Sequence, residues 1–158
     1  MGVCEKFVSE PDQAFAGRIA AVMSAAVSDY SRVSGIAMPV LVAGEYCAQL
    51  SALSYERLTD AGVPMQVRLH TRPRVAHYYL RTADGRLVAD ATWQQFLASR
   101  KRGGELPAIA VYDQQMVNQA LGYLGLSRRR FVIWNDAEDS GHRWYHFNDP
   151  VLNALLED

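Results

Sequence analysis

Cys47 in GEYCAQL, His77 at the head of HYYLRTADGRLVADATWQQF, and Asp90 within that second stretch could do chemistry together. A cysteine thiolate attacks acyl carbons and needs a proton acceptor, which a histidine supplies. A carboxylate on the far imidazole nitrogen fixes the tautomer and supports the imidazolium. Cys47 falls in the first turn of an expected helix. There the helix dipole favours a thiolate, and unpaired backbone N–H groups can meet an oxyanion. Each residue also has a plainer reading on its own. Cys47 can be a small buried apolar residue, His77 a strand-edge histidine, and Asp90 the N-cap of a helix beginning near Trp93. A cap and an orienter are compatible roles for one carboxylate.

The geometric argument for the pair comes from the hairpin that carries it. Asp84-Gly85 is a tight-turn dipeptide between two runs with strand periodicity. If it forms a two-residue loop, Ala83 faces Arg86, Tyr79 faces Asp90 and His77 faces Thr92. Residues 77, 79 and 81 then share a face with 86, 88 and 90. His77 and Asp90 become diagonal neighbours, about 7–8 Å apart along the backbone and within side-chain reach. A four-residue loop keeps this register, whereas a three-residue loop or a bulge breaks it. The opposite face carries Tyr78, Leu80, Leu87 and Ala89, an apolar set suited to a core.

Other candidates rank below these three. His70 precedes a Pro-containing turn and has no paired acid, so it is second choice as the base. Tyr46, Tyr78 and Gln95 flank the trio and are candidates for substrate or oxyanion contacts, with packing as the alternative. His142, His146 and Asp149 could form at most a weak metal site. No Cys-x-x-Cys or His-x-x-x-His zinc spacing surrounds Cys47, His77 and Asp90. The chemistry of that trio calls for no metal and no cofactor.

These residues must be positioned by regular elements. Residues 12–31 read as an amphipathic helix with Phe15, Ile19, Val22, Met23, Ala26, Val27 and Tyr30 on one face, Ser9 before it and Pro11 in its first turn. Ser34-Gly35 ends it and Pro39 breaks the next stretch of chain. A second helix is expected from about Glu45 to Asp60, with Leu50, Leu53, Leu58 and Ala61 buried and Gly62 as its stop. The period then changes to two, predicting strands over Met65–His70, Val75–Thr82 and Arg86–Asp90. A short helix should span 92–101, with Trp93, Phe96 and Leu97 inward. Gly103-Gly104 and Pro107 make a loop, and Asp113 caps a helix carrying Met116 to Leu124 and closed by Gly125. Phe131–Trp134 and Trp144–Phe147 read as a second hairpin around EDSG. Asp149-Pro150 opens a last short helix. The order predicts an α+β fold, with N-terminal helices packed on a mainly antiparallel sheet.

Bulk properties narrow the class. A chain of 158 residues is about one domain and can bury a core without disulfide staples. With 16 Lys+Arg against 17 Asp+Glu, the net charge of −1 argues against a nucleic-acid binder. The basic runs Arg100-Lys101-Arg102 and Arg128-Arg129-Arg130 read as solvated ends of elements. Cys4 lies close to the start, so no disulfide with Cys47 is expected, and two free thiols suit a reducing compartment. No apolar run approaches a membrane span. The opening residues do not read as a secretory signal, since Glu5, Glu10 and Asp12 interrupt them, and Lys6 spoils an acylation motif at Gly2.

The stretches GEYCAQLSALSYERL and HYYLRTADGRLVADATWQQFL resemble the papain-like/transglutaminase-like cysteine enzymes, and more narrowly bacterial papain-fold toxins and effectors. The order Cys, His, Asp agrees, as does the Asp-Ala-Thr-Trp-Gln-Gln-Phe segment. The resemblance implies one papain-like catalytic domain over 1–158, with Cys47 as nucleophile, His77 as general base and acid, and Asp90 as orienter. It implies a cysteine hydrolase that deamidates a glutamine of a target protein through a thioester; a protease, a transglutaminase or a non-catalytic interaction module are the alternatives. It further implies synthesis in a bacterial cytoplasm, export by a specialised system, action in a target-cell cytosol, and room for a chaperone or immunity partner. The peptidase signature around the cysteine is absent, and no Gln or Asn shortly before Cys47 offers a side-chain oxyanion donor. An oxyanion hole would need the Cys47 backbone N–H and another group, such as Tyr46 or a loop.

Overall fold

The computed structural model describes residues 5–72, 75–97, 106–140 and 148–157. Among them the fold is α+β. Helices α1 (Gln13–Ser34), α2 (Met38–Ala43) and α3 (Cys47–Asp60) lead into strands β1 (Met65–Arg72), β2 (Val75–Thr82) and β3 (Leu87–Asp90). Strand β4 (Ala110–Asp113), helices α4 (Val117–Tyr123) and α5 (Val132–Asn135), strand β5 (Glu138–Asp139) and helix α6 (Pro150–Glu157) come after them. The five strands form one antiparallel sheet in the order β4-β3-β2-β1-β5.

Helix α1 forms because Ala16, Ile19, Ala20, Met23, Ala26, Val27 and Tyr30 recur at helical spacing, and all are buried. Its C-terminus closes on Gly35, whose φ of 76° places it in the left-handed region while its N–H bonds Ser31 O. Helix α3 buries Leu50, Leu53 and Leu58 completely. Each such leucine contributes about 1.5–3 kcal/mol of apolar burial. Ala61, expected inside, is the exposed cap residue just past the helix. Pro39 does not break the chain but lies in the first turn of α2, where the N–H it lacks would have had no partner.

Both faces of the sheet are buried. Leu80, Leu87, Ala89 and Val111 face α1, α3 and α6. Tyr79, Val88, Ala110 and Tyr112 face a second core that includes Leu121, Leu124, Trp93, Ile133 and Trp134. Alternation along β3 therefore reads apolar on one side and apolar-plus-Asp90 on the other, and all four of its residues are buried.

The β2–β3 register pairs Leu80 with Ala89 and Arg81 with Val88, as the hairpin argument required. The turn itself is different. It runs Thr82 to Gly85, closed by Gly85 N–H to Thr82 O at 2.7 Å, with Gly85 (φ 78°) in the left-handed region. Thr82 Oγ1 accepts the Leu87 N–H at 3.0 Å and donates to Asp84 at 2.6 Å, so side chains finish a loop that spans residues 83 to 86.

Several expectations past Ala91 need correction. Strand β4 was hidden in a short apolar run between Pro107 and Asp113, too brief for its period to declare itself. Phe131–Trp134 is not a strand: a 3-10 turn at Arg128–Arg130 runs into the single turn of α5, with Ile133 and Trp134 both buried. Neighbouring residues can both be buried on a helix end, and that packing overrides the β propensity of Phe-Val-Ile-Trp. The EDSG stretch, expected as a turn, supplies β5, which adds to β1 at Arg68↔Asp139 and Leu69↔Glu138. The helix expected over 92–101 is a 3-10 turn at Trp93–Phe96, and its last residues lie outside the described ones.

Asp149 caps α6 as anticipated, accepting from Val151 N–H and Leu152 N–H, and its other oxygen takes the Tyr30 hydroxyl at 2.6 Å. Cys4, Arg100, Lys101, Arg102, His142, His146 and the strand expected at 144–147 lie outside the described residues. No helix among the described residues is long and apolar enough to cross a membrane.

Candidate functional site

Cys47 is the first residue of α3, so its N–H and those of Ala48 and Gln49 precede the first intrahelical bond, Leu50 N–H to Tyr46 O. The chain reaches it through Gly44, where a Cβ would lie 2.7 Å from Val40 O. Only glycine fits that close approach. Tyr46, which caps the helix ahead of Cys47, sets its ring edge-on to Tyr30 at 6.2 Å.

Strand β3 stops at Asp90, and the start of α3 bonds the β2 backbone beyond that point. The Tyr78 N–H donates to the Cys47 sulfur, and Ser51 Oγ donates to Tyr78 O at 3.2 Å. Cys47 and Ser51 are four apart and therefore on one helix face. Both are small, which lets the helix approach the strand closely. Ser51 was not singled out in the sequence, although a small-residue stripe on an amphipathic helix is a readable signal.

His77 lies on the second face of the sheet and is fully buried. Its Nε2–H donates to Asp90 Oδ2 at 2.6 Å. Three aromatic rings wall it in: Tyr79 stacked at 6.0 Å, Phe96 edge-on at 4.9 Å and Trp134 edge-on at 5.6 Å. The other ring nitrogen faces Cys47, to which it is hydrogen-bonded, and Gln95. Gln95 Nε2 sits 3.1 Å from His77 Nδ1 while donating to Thr92 O at 3.0 Å and Thr92 Oγ1 at 3.2 Å. With its amide hydrogens engaged by Thr92, Gln95 packs against the edge of the imidazole.

Asp90 is both orienter and cap. Oδ1 accepts the Thr92 N–H at 2.9 Å, and Oδ2 accepts from His77 and from Trp134 Nε1 at 2.8 Å. Trp134 was not anticipated. It lies in the segment misread as a strand, and no local pattern says that its indole reaches a carboxylate far back in the chain. Its helix is in turn held by Tyr79, whose hydroxyl donates to Trp134 O at 3.3 Å.

The electrostatics favour an ion pair. Burial alone pushes the Cys47 thiol up, but the hydrogen bond and charge of His77 and the Tyr78 N–H outweigh it, leaving the thiol below its ordinary range. Burial alone pushes His77 down, and the charge and hydrogen bond of Asp90, with help from Cys47, overcome this and lift it to about 9. Both shifts favour the thiolate–imidazolium pair over the neutral pair. Tyr78 is raised, first by burial and then by the Cys47 charge, so its hydroxyl stays protonated beside the thiolate.

His70 pairs with His77 across β1 and β2 but makes a different contact. Its Nδ1–H donates to Asp136 O at 3.1 Å, tying β1 to the chain between α5 and β5. Among the described residues no group of three or more His, Cys, Asp or Glu is placed to hold a metal ion. Asp149, named for a weak site, is engaged as cap and as acceptor for Tyr30.

Cys47 opens on a cleft of about 510 Å³, lined by Gly44, Glu45, Ala48, Tyr78, Gln95, Phe96 and Arg130 among others. Tyr78 and Gln95 both border the cleft, although the hairpin pattern put Tyr78 on the core face. Arg130, assigned to a solvated basic run, belongs to the cleft wall instead.

Replacing Trp134 with phenylalanine keeps the aromatic wall and removes one donor to Asp90. The expected cost is about 1–2 kcal/mol of stability, from the lost hydrogen bond to a charged group. Urea unfolding checks it; an unchanged midpoint would mean that the indole hydrogen bond contributes nothing. No family model, curated protein or solved structure matches this chain.

Proposed function

We propose that the chain is a cysteine amidohydrolase of the papain-like/transglutaminase-like kind, acting on a glutamine side chain of a target protein. The observation that supports this best is the buried relay from Cys47 through His77 to Asp90, with its sulfur end at an open cleft. Cys47 thiolate adds to the carboxamide carbon, and the oxyanion is met by N–H groups at the start of α3. His77 Nδ1–H protonates the departing nitrogen, releasing ammonia and leaving a thioester. His77 then takes a proton from water, which attacks the thioester and frees glutamate and the thiol. The Nε2–H bond to Asp90 holds the imidazole tautomer throughout.

The experiment is intact mass spectrometry of candidate target proteins after incubation with the wild-type chain and with Cys47→Ala. Deamidation gives a gain of about one dalton, NH2 being exchanged for OH at the thioester carbon. A larger adduct instead means transfer to an amine, and fragments mean proteolysis on the same thioester. Modification that persists with Cys47→Ala overturns the reading of Cys47 as nucleophile, and no modification by the wild-type chain leaves an interaction module.

A further inference from the structure

Arg130 occupies an unusual position for a residue in a basic run. Its neighbours Arg128 and Arg129 are exposed, but Arg130 is half-buried and lines the cleft onto which Cys47 opens. Its guanidinium lies 5.7 Å above the Phe96 ring, and that same ring meets His77 edge-on at 4.9 Å. The cation is therefore two contacts from the imidazole. Elsewhere, Arg57 and Arg32 pair with Asp29, Arg72 with Asp136, and Arg86 with Asp12 and Asp84. Among the described residues no carboxylate forms an ion pair with Arg130.

A guanidinium stacked on an aromatic face has its plane fixed while its N–H edge stays available. That edge matches a carboxylate with two parallel hydrogen bonds. The cleft also carries Glu45, from the loop that precedes Cys47. A second anion near Glu45 is disfavoured, so the two charges orient a substrate rather than attract any acid indiscriminately.

We propose that Arg130 recognises a carboxylate on the substrate, so that the site selects an acyl group with an acidic side chain close by. This rests on the reading of Cys47 as the nucleophile and narrows its substrate class.

Paired alkylating reagents test it without any target protein. Iodoacetate carries a carboxylate next to its reacting carbon, and iodoacetamide is its neutral counterpart. Rates at Cys47 are read by peptide mass spectrometry. The ratio of the iodoacetate rate to the iodoacetamide rate is expected to fall about three- to tenfold in Arg130→Gln, the size of one lost charge at short range in a partly wet cleft. Arg130→Lys, which keeps the charge, should retain most of the preference, and added salt should shrink the wild-type ratio. A ratio unchanged in Arg130→Gln overturns the proposal. So does an equal fall with both reagents, which would mean that Arg130 only shapes the site. If both reagents leave Cys47 untouched in the wild type, the nucleophile reading fails and takes this inference with it. Normal alkylation with an unmoved ratio removes only the role of Arg130.

Discussion

With His77 replaced by alanine, turnover should fall by about 10⁴-fold, the upper range for loss of a general acid and base. Cys47 alkylation at pH 6.5 should slow as well. A thiol of ordinary acidity is only about 1% ionised there, whereas the wild-type thiolate is held by the imidazolium. Part of the gain in thiolate is offset by lower intrinsic nucleophilicity, so the expected slowing in alkylation is about ten- to a hundredfold. The pH profile separates the two effects. In the wild type, alkylation climbs through a thiol pKa below the ordinary value and then levels off. On the proposed mechanism turnover also needs the proton on His77, so it should decline as pH rises through about 9. In His77→Ala that rise moves to higher pH, because burial is then opposed only by the Tyr78 N–H. Stopped-flow alkylation across pH 5–10 reads both limbs; equal rates for the two proteins at pH 6.5 would sink the ion pair.

Removing the carboxylate should damage the fold as much as the chemistry. Asp90→Ala leaves His77 Nε2–H, Trp134 Nε1–H and the Thr92 N–H without their acceptor, and the first two are buried beside the second core. Breaking one partner out of a buried charged pair costs about 3–5 kcal/mol. The pH dependence comes from His77. Its pKa is raised in the folded protein, to about 9 against an ordinary 6.5. The stability it contributes is therefore complete below the unfolded value and lost as pH rises through about 9. The penalty of Asp90→Ala should accordingly shrink between those two limits. Asp90→Asn retains a cap for Thr92 and one acceptor oxygen, so it should unfold later in urea than Asp90→Ala while losing the raised histidine. If Asp90→Asn matches the wild-type midpoint across that pH range, the charge of Asp90 has no part in stability.

Much of this site is local in sequence and was readable for that reason. The hairpin register depends on a period of two and on loop length, and both lie within residues 77 to 90. It survived even though the turn chemistry was different, because a two-residue and a four-residue loop are equivalent in phase. The position of Cys47 at a helix start was likewise set by nearby residues. Trp134 and Arg130 were not legible. Both ride on the segment from Arg128 to Asn135, whose aromatic and β-branched residues look like a strand in isolation. Only packing against Tyr79 and Phe96 makes it a 3-10 turn and a helix end. Strand β4 was missed for a related reason: four residues are too few to display a period, and its partner β3 supplied the pairing.

The edge-on contact between Trp134 and His77, 5.6 Å between ring centres, also makes the protein emit a signal of its own ionisation. A protonated imidazole quenches excited indole far better than a neutral one does. Emission from Trp134 should stay dim while His77 holds its proton and brighten as pH passes through about 9. Trp93, buried and bonded to Pro107 O, supplies a steady background. The brightening should vanish in Trp134→Phe, which lacks the indole beside His77. The charge state of the buried pair can thus be followed by light, in an unlabelled chain and with no substrate in hand.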